Sequence, residues 1–169
     1  MAVAYKVVDK SLGAPPLDVS GDTTQRIALG QIVTGVDTST NAFGLADFMY
    51  VKFTGTVAAG DLVKVDRYNK TAVVSPTAAT KGIAFGIAMA AQAANQYGYV
   101  MLRGVHDDVS VLSGATVQEG PNYGSALVAG RVTSAVTANY IIENCAIRVT
   151  GNGSSRGCVE INYPSCSGR

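Results

Sequence analysis

Apolar residues recur at every second position over much of the chain, which predicts strands, because successive side chains on a strand point to opposite faces. The most regular case is Met49, Val51 and Phe53 alternating with Tyr50, Lys52 and Thr54, a pattern expected of a half-buried strand. Ala58-Ala59-Gly60-Asp61 then reads as a turn, Leu62 to Asp66 as a strand, Arg67-Tyr68-Asn69-Lys70 as a hairpin turn and Thr71 to Ser75 as its return. Between Ile83, Phe85, Ile87 and Met89 stand Ala84, Gly86 and Ala88, so both faces are apolar or small. Such a strand is expected to be central or closely approached by another backbone. Tyr97 to Leu102 reads as a strand ended by Gly104. Shorter strands are expected at Val109 to Leu112, Thr116 to Gln118, Ala126 to Val132, Ile147 to Thr150 and Val159 to Tyr163. The expected central core is Val51, Phe53, Val63, Val65, Ile83, Phe85, Ile87 and Leu102.

No long amphipathic helix is predicted, and the alanine-rich stretch Met89 to Asn95 is long enough for one helical turn only. Short strands separated by Gly and Asn turns predict an all-β fold, a compact antiparallel β-sandwich or small β-barrel, and argue against α/β architectures. Residues 1–24 differ, carrying Gly13, Pro15-Pro16, Gly21 and Asp22 between short apolar pieces. That composition predicts an extended N-terminal arm ahead of a β domain at 25–169, which divides at most into lobes at 25–112 and 113–169. Val3, Tyr5, Val7, Val8, Leu12 and Leu17 are too many apolar side chains to leave in water, so the arm is expected to lie on a neighbouring surface. Val3, Tyr5, Val7, Leu12 and Leu17, with Tyr97 and Tyr99, are the expected interface residues.

Composition narrows the function classes. Of 169 residues, 15% are charged and 47% apolar, and 19 are glycine, against a usual charged share of about 25%. This is an ordered, turn-rich chain rather than a disordered one. A net charge of +1 with dispersed basic residues offers no electrostatic footprint for nucleic acid. No apolar run approaches the roughly 20 residues needed to span a bilayer as a helix, and the N-terminus lacks a signal-peptide pattern, so folding in a cytoplasm is expected, with no membrane partner. Cys145, Cys158 and Cys166 lack CxxC spacing and are expected to be reduced. A hairpin about the turn from Gly151 to Arg156 would set Cys158 opposite Val149, leaving Cys145 out of register for a bridge.

Candidate chemistry is sparse. The one histidine, His106, precedes Asp107 and Asp108. A metal site needs three or four convergent ligands, and a triad needs a nucleophile held against its base. The trio supplies neither, and is expected to form a solvated loop. Asp61 and Asp66 read as turn boundary and strand end rather than as a catalytic pair. Gly151-Asn152-Gly153 with Gly157 has the wrong spacing for a phosphate loop and reads as a hairpin turn. No catalytic, cofactor or metal site is therefore expected. The eight tyrosines leave a sugar-binding platform as the rival to a structural role.

Three segments go further: ADFMYVKFTGTVAAGDLVKVD from Ala46 to Asp66, GIAFGIAMAAQAANQYGYVMLRG from Gly82 to Gly104, and VEINYP from Val159 to Pro164. In order and spacing they resemble the capsid decoration, or cement, proteins of tailed bacteriophages. The shared elements are a strand, a Gly-Asp hairpin turn, a Gly-Ile-Ala strand, a Gln-Tyr-Gly-Tyr approach and a strand ending in glycine. The resemblance covers less than half of the chain. It implies a non-enzymatic virion protein, made in the host bacterial cytoplasm, that sits on the outer capsid surface. Its implied partners are the major capsid protein and further copies of itself, as in a trimer. The alternative is a host-surface or carbohydrate-binding module of a phage fibre or spike.

Overall fold

The computed structural model describes residues 5–8, 14–38, 43–76, 82–112, 122–124, 128–134, 140–150 and 155–166. Among these residues the fold is all-β, with no helix. The strands are β1 (Tyr5–Val7), β2 (Ile32–Asp37), β3 (Leu45–Phe53), β4 (Leu62–Asp66), β5 (Thr71–Val74), β6 (Ala84–Ala88), β7 (Tyr97–Ser110), β8 (Asn122–Gly124), β9 (Val132–Thr133), β10 (Tyr140–Thr150) and β11 (Arg156–Cys166). They form one sheet in the order β1-β2-β3-β5-β4-β6-β7-β11-β10-β8-β9, with β3 also pairing with β7 and β6 with β11.

The β3–β7 pairing closes a ring of five strands, β3-β5-β4-β6-β7. All contacts in the ring are antiparallel except β3–β5, which is parallel at Lys52↔Thr71 and Phe53↔Ala72. Closure leaves no free edge within the ring, so the edge strands of the sheet are β1 and β9. Inside the ring lie Met49, Val51, Phe53, Val63, Val65, Ala72, Val100 and Leu102. Outside it a second cluster joins Phe48, Tyr50, Phe85, Ile87, Tyr99 and Met101 to Ile142, Cys145, Ile147, Val159 and Ile161 of β10 and β11. The expected core residues thus separate by strand phase. Val51, Phe53, Val63, Val65 and Leu102 face the barrel interior, whereas Phe85 and Ile87 are buried outside it, with Ile83 packed partly against them.

β3 is therefore buried on both faces rather than half-buried. Tyr50 occupies the face expected to meet solvent, yet it is fully buried, because its hydroxyl is satisfied by the Arg26 backbone N–H at 3.2 Å. Gly86 fits the expected close approach: a Cβ there would lie 2.6 Å from the Met101 carbonyl oxygen and would overlap Val100.

Several expectations are corrected. Gly104 does not end its strand, since β7 continues to Ser110. The glycine (φ +128°) instead admits the close pass of Ala46, whose Cβ would be 2.5 Å from an added Cβ. The stretch from Met89 to Asn95 forms no helical turn, because Gln92 exchanges backbone hydrogen bonds with Val57 at 2.9 and 3.1 Å. The Gln92 side chain also receives the Gly21 N–H at 3.1 Å and donates to the Val19 carbonyl at 2.7 Å. β10 and β11 are longer than their apolar patterns predicted, while the expected strand Thr116 to Gln118 lies outside the described residues. The β10–β11 hairpin does set Val149 opposite Cys158, with Cys145 opposite Ile161, and none of the three cysteines is in a disulfide.

Candidate functional site

Of the seven expected interface residues, Val3 and Leu12 lie outside the described residues. Tyr5, Leu17 and Tyr99 are buried within the chain's own outer cluster, which corrects the expectation that they meet a partner. The physical reason is that the N-terminal segment finds burial at home. Tyr5–Val7 pairs antiparallel with β2, the Tyr5 ring meets Phe48 edge-on at 5.2 Å, and its hydroxyl donates to the Val105 carbonyl at 2.6 Å. Val7 and Tyr97 are half-buried against the same cluster. Tyr97 stacks on Tyr50 at 6.3 Å, with the Lys52 ammonium 5.9 Å from its ring centre.

His106 is also corrected. It lies within β7 opposite Val159 and is 7% exposed, not on a solvated loop. Its Nδ1 accepts the Asp108 N–H at 3.1 Å, which assigns the proton of the neutral ring to Nε2. Burial lowers its pKa below the ordinary value, against the opposing pull of Asp107 and Asp108. The ring forms part of the wall of a groove of about 680 Å³, which Tyr5, Pro15, Pro16 and Met89 also line. Asp108 faces Arg156 at 3.7 Å, and Arg156 donates to the Ala59 carbonyl at 2.7 Å. Asp61 receives the Ala58 N–H at 2.9 Å and the Ser110 hydroxyl at 2.8 Å, so it closes its own turn and ties that turn to β7. These groups hold the strands together. Among the described residues, no three His, Cys, Asp or Glu side chains converge as metal ligands would.

A different set of residues gathers where the barrel opens. Partners across a strand pair share a face, so the registers Thr34↔Asp47 and Asp47↔Arg103 lay one row across β2, β3 and β7, and Lys6↔Val36↔Leu45 lays the next. At the centre is Asp47, only 8% exposed. It accepts hydrogen bonds from Arg103 at 2.8 and 3.2 Å, from the Tyr163 hydroxyl at 2.8 Å and from the Thr34 hydroxyl at 3.0 Å. Burial opposes its charge, but these hydrogen bonds outweigh burial and hold its carboxyl below the usual range. Tyr163 reaches it because β11 shifts register against β10 between Glu143 and Cys145, with Tyr163 itself at φ +50°. Re-aiming a side chain is a common use of such bulges.

The β4–β5 turn lies against the same region. Its Arg67 guanidinium sits 5.7 Å from the Tyr163 ring centre, and its Lys70 side chain packs against Gly30. Asp66 builds this turn by accepting the Tyr68 and Asn69 N–H groups, each at 2.9 Å. Among the described residues, the exposed large apolar side chains are Val8, Ile32, Leu45, Tyr68 and Tyr163. Ile32 is paired with Met49 at the barrel rim, and Val8 donates its N–H to the Thr34 carbonyl. Leu45 and Tyr163 flank Asp47, and Tyr68, 91% exposed, follows Arg67. Val8, Ile32 and Leu45 thus share the side of the sheet that carries Asp47, and Tyr163 touches Asp47 directly.

Sequence reasoning assigned none of Asp47, Arg103, Arg67 and Tyr163 to a site; Arg67 and Tyr163 entered only as turn and strand residues. One signal was present: Asp47 stands in phase with Met49 and Val51, a carboxylate at a position the alternation reserves for the interior. Compared with known proteins, the chain matches no family model, no curated protein and no solved structure.

Proposed function

We propose that this chain is a bacteriophage virion structural protein that binds the assembled capsid surface and stabilises it, as a decoration or cement protein does. One observation carries the reading: exposed Leu45 and Tyr163 flank the Asp47–Arg103 pair, Tyr163 underlies Arg67, and exposed Ile32 and Val8 continue the same side of the sheet on β2 and beyond β1. Single apolar residues scattered over a surface need no explanation, whereas a gathered patch marks a binding surface. Tyrosine, arginine and aliphatic side chains together match the composition of protein–protein contacts. A broad sheet face also suits a second protein better than a small molecule, which favours concave sites. The resemblance to decoration proteins falls on β3, β4, β6 and β7, four of the five ring strands, and on β11, which bears Tyr163. Binding the assembled shell and not its dissociated subunits stabilises the shell by mass action, and engaging several subunits at once adds avidity.

The test is to mix the full chain with purified capsids assembled without it, then measure bound copies and the temperature of capsid disruption. Saturable binding with a raised disruption temperature is expected. Absence of binding to capsids, together with specific binding on a glycan array, overturns this reading in favour of a carbohydrate-binding module.

A further inference from the structure

We infer that the surface contacted by this face is acidic as well as apolar, and that it belongs to a different protein rather than to a second copy of this chain. The inference rests on the capsid-binding reading and specifies the chemistry of the partner.

Lys6 on β1, Arg67 and Lys70 in the β4–β5 turn and Arg103 on β7 border the patch, and the carboxylates among them are Asp47 and Asp66. Both carboxylates are already engaged. Asp47 accepts from Arg103, Tyr163 and Thr34. Asp66 accepts from two backbone N–H groups of its turn and from the Asn69 side chain at 2.7 Å. Arg67 and Lys6 meet no carboxylate among the described residues. The charge left facing outward is therefore positive, in a chain whose total is only +1. Farther along the sheet, Arg148 and Glu160 pair with each other. Exposed Glu143 lies on β10, next to β11 and opposite Ser165, so it counts with the border; four basic side chains there, Lys6, Arg67, Lys70 and Arg103, still outnumber the three carboxylates Asp47, Asp66 and Glu143.

Arg67 is the residue best suited to recognition. Its guanidinium lies over Tyr163 and it adjoins Tyr68, so a carboxylate could be received bidentately in a partly apolar setting. Arginine and tyrosine in such a setting carry much of the binding energy in protein contacts. A second copy offering the same face would oppose Lys6, Arg67 and Lys70 with their like-charged counterparts, and like charges across an interface disfavour pairing. Carboxylates set among apolar groups on another protein meet both requirements.

The experiment compares the full chain with Arg67→Glu and Leu45→Ser for binding to purified capsids assembled without it, at low and high salt. The wild type is expected to bind about tenfold or more weakly at high salt. Arg67→Glu should lose a similar factor at low salt and most of the salt dependence, while unfolding at the wild-type temperature. Leu45→Ser should weaken binding at both salt concentrations. Wild-type binding that ignores salt, with Arg67→Glu binding equally well, overturns the acidic partner and leaves capsid binding standing. A wild type that binds no capsids overturns both. A dimer in sedimentation that Leu45→Ser dissociates shows a second copy on this face and overturns the inference. Salt-sensitive retention on double-stranded DNA as strong as on capsids does so too.

Discussion

The Tyr163 hydroxyl donates to Asp47 Oδ2 at 2.8 Å, joining residues 116 positions apart in the chain. Through that carboxylate, β2, β3, β7 and β11 are tied together where the five-stranded ring opens. The same tyrosine ring underlies Arg67, so one contact both closes the fold and fixes the side chains that face outward. Burial pulls the Asp47 proton on, and hydrogen bonds from three side chains keep it off. The arrangement persists because removing any donor leaves a buried charge less well satisfied.

Asp47→Ala is expected to destabilise the fold by about 2 kcal/mol, the usual range for losing hydrogen bonds to a buried charge, as read from the urea midpoint at neutral pH. The carboxyl pKa is lowered on folding, so its contribution is present above the unfolded value and is lost as pH falls through the folded one. The gap between wild type and Asp47→Asn should therefore narrow in acid. A gap that is constant down to the acid transition would contradict the assignment.

His106 runs in the other chemical sense. Its folded pKa lies below the ordinary value of about 6.5 because burial disfavours the imidazolium. The unfolded chain therefore binds the proton first as pH falls. Stability is full above pH ~6.5 and declines below it until the folded pKa is reached. His106→Gln should flatten that part of the curve of melting temperature against pH. Identical slopes for the two proteins would show a solvated ring.

Gly86→Ala should cost about 1–3 kcal/mol, as overpacking of a close-packed core does. The new methyl would press on the Met101 carbonyl oxygen at 2.6 Å and on the Val100 side chain. Backbone on one side leaves little room to relax. Melting temperature reports the effect directly, and an unchanged value would show that β6 and β7 can separate freely.

Tyr99→Phe is expected to leave stability unchanged or raise it by about 1 kcal/mol. Among the described residues the buried Tyr99 hydroxyl has no hydrogen-bond partner, and an unsatisfied buried polar group costs free energy that phenylalanine avoids. The ring's edge-on contact with Tyr50 at 5.1 Å is kept in the variant. Clear destabilisation in chemical denaturation would reveal a partner for that hydroxyl in solution.

By itself the sequence determined the strands β3, β4, β5 and β6 and the turns that join the first three of them, because these depend on neighbours a few positions away. Alternation set Met49, Val51 and Phe53 on one side of β3, Asp61 and Asp66 took their turn positions, and the symmetry of one hairpin brought Val149 opposite Cys158. Alternation says which side chains share a face, but not what covers that face. Tertiary structure alone decided that Tyr50 and His106 are buried, and that Tyr5 and Leu17 pack inside the chain. It alone brought Arg103 and Tyr163 to Asp47. Those outcomes depend on ring closure and on bulges that shift long-range register, so the relation between distant strands is not a sum of local preferences.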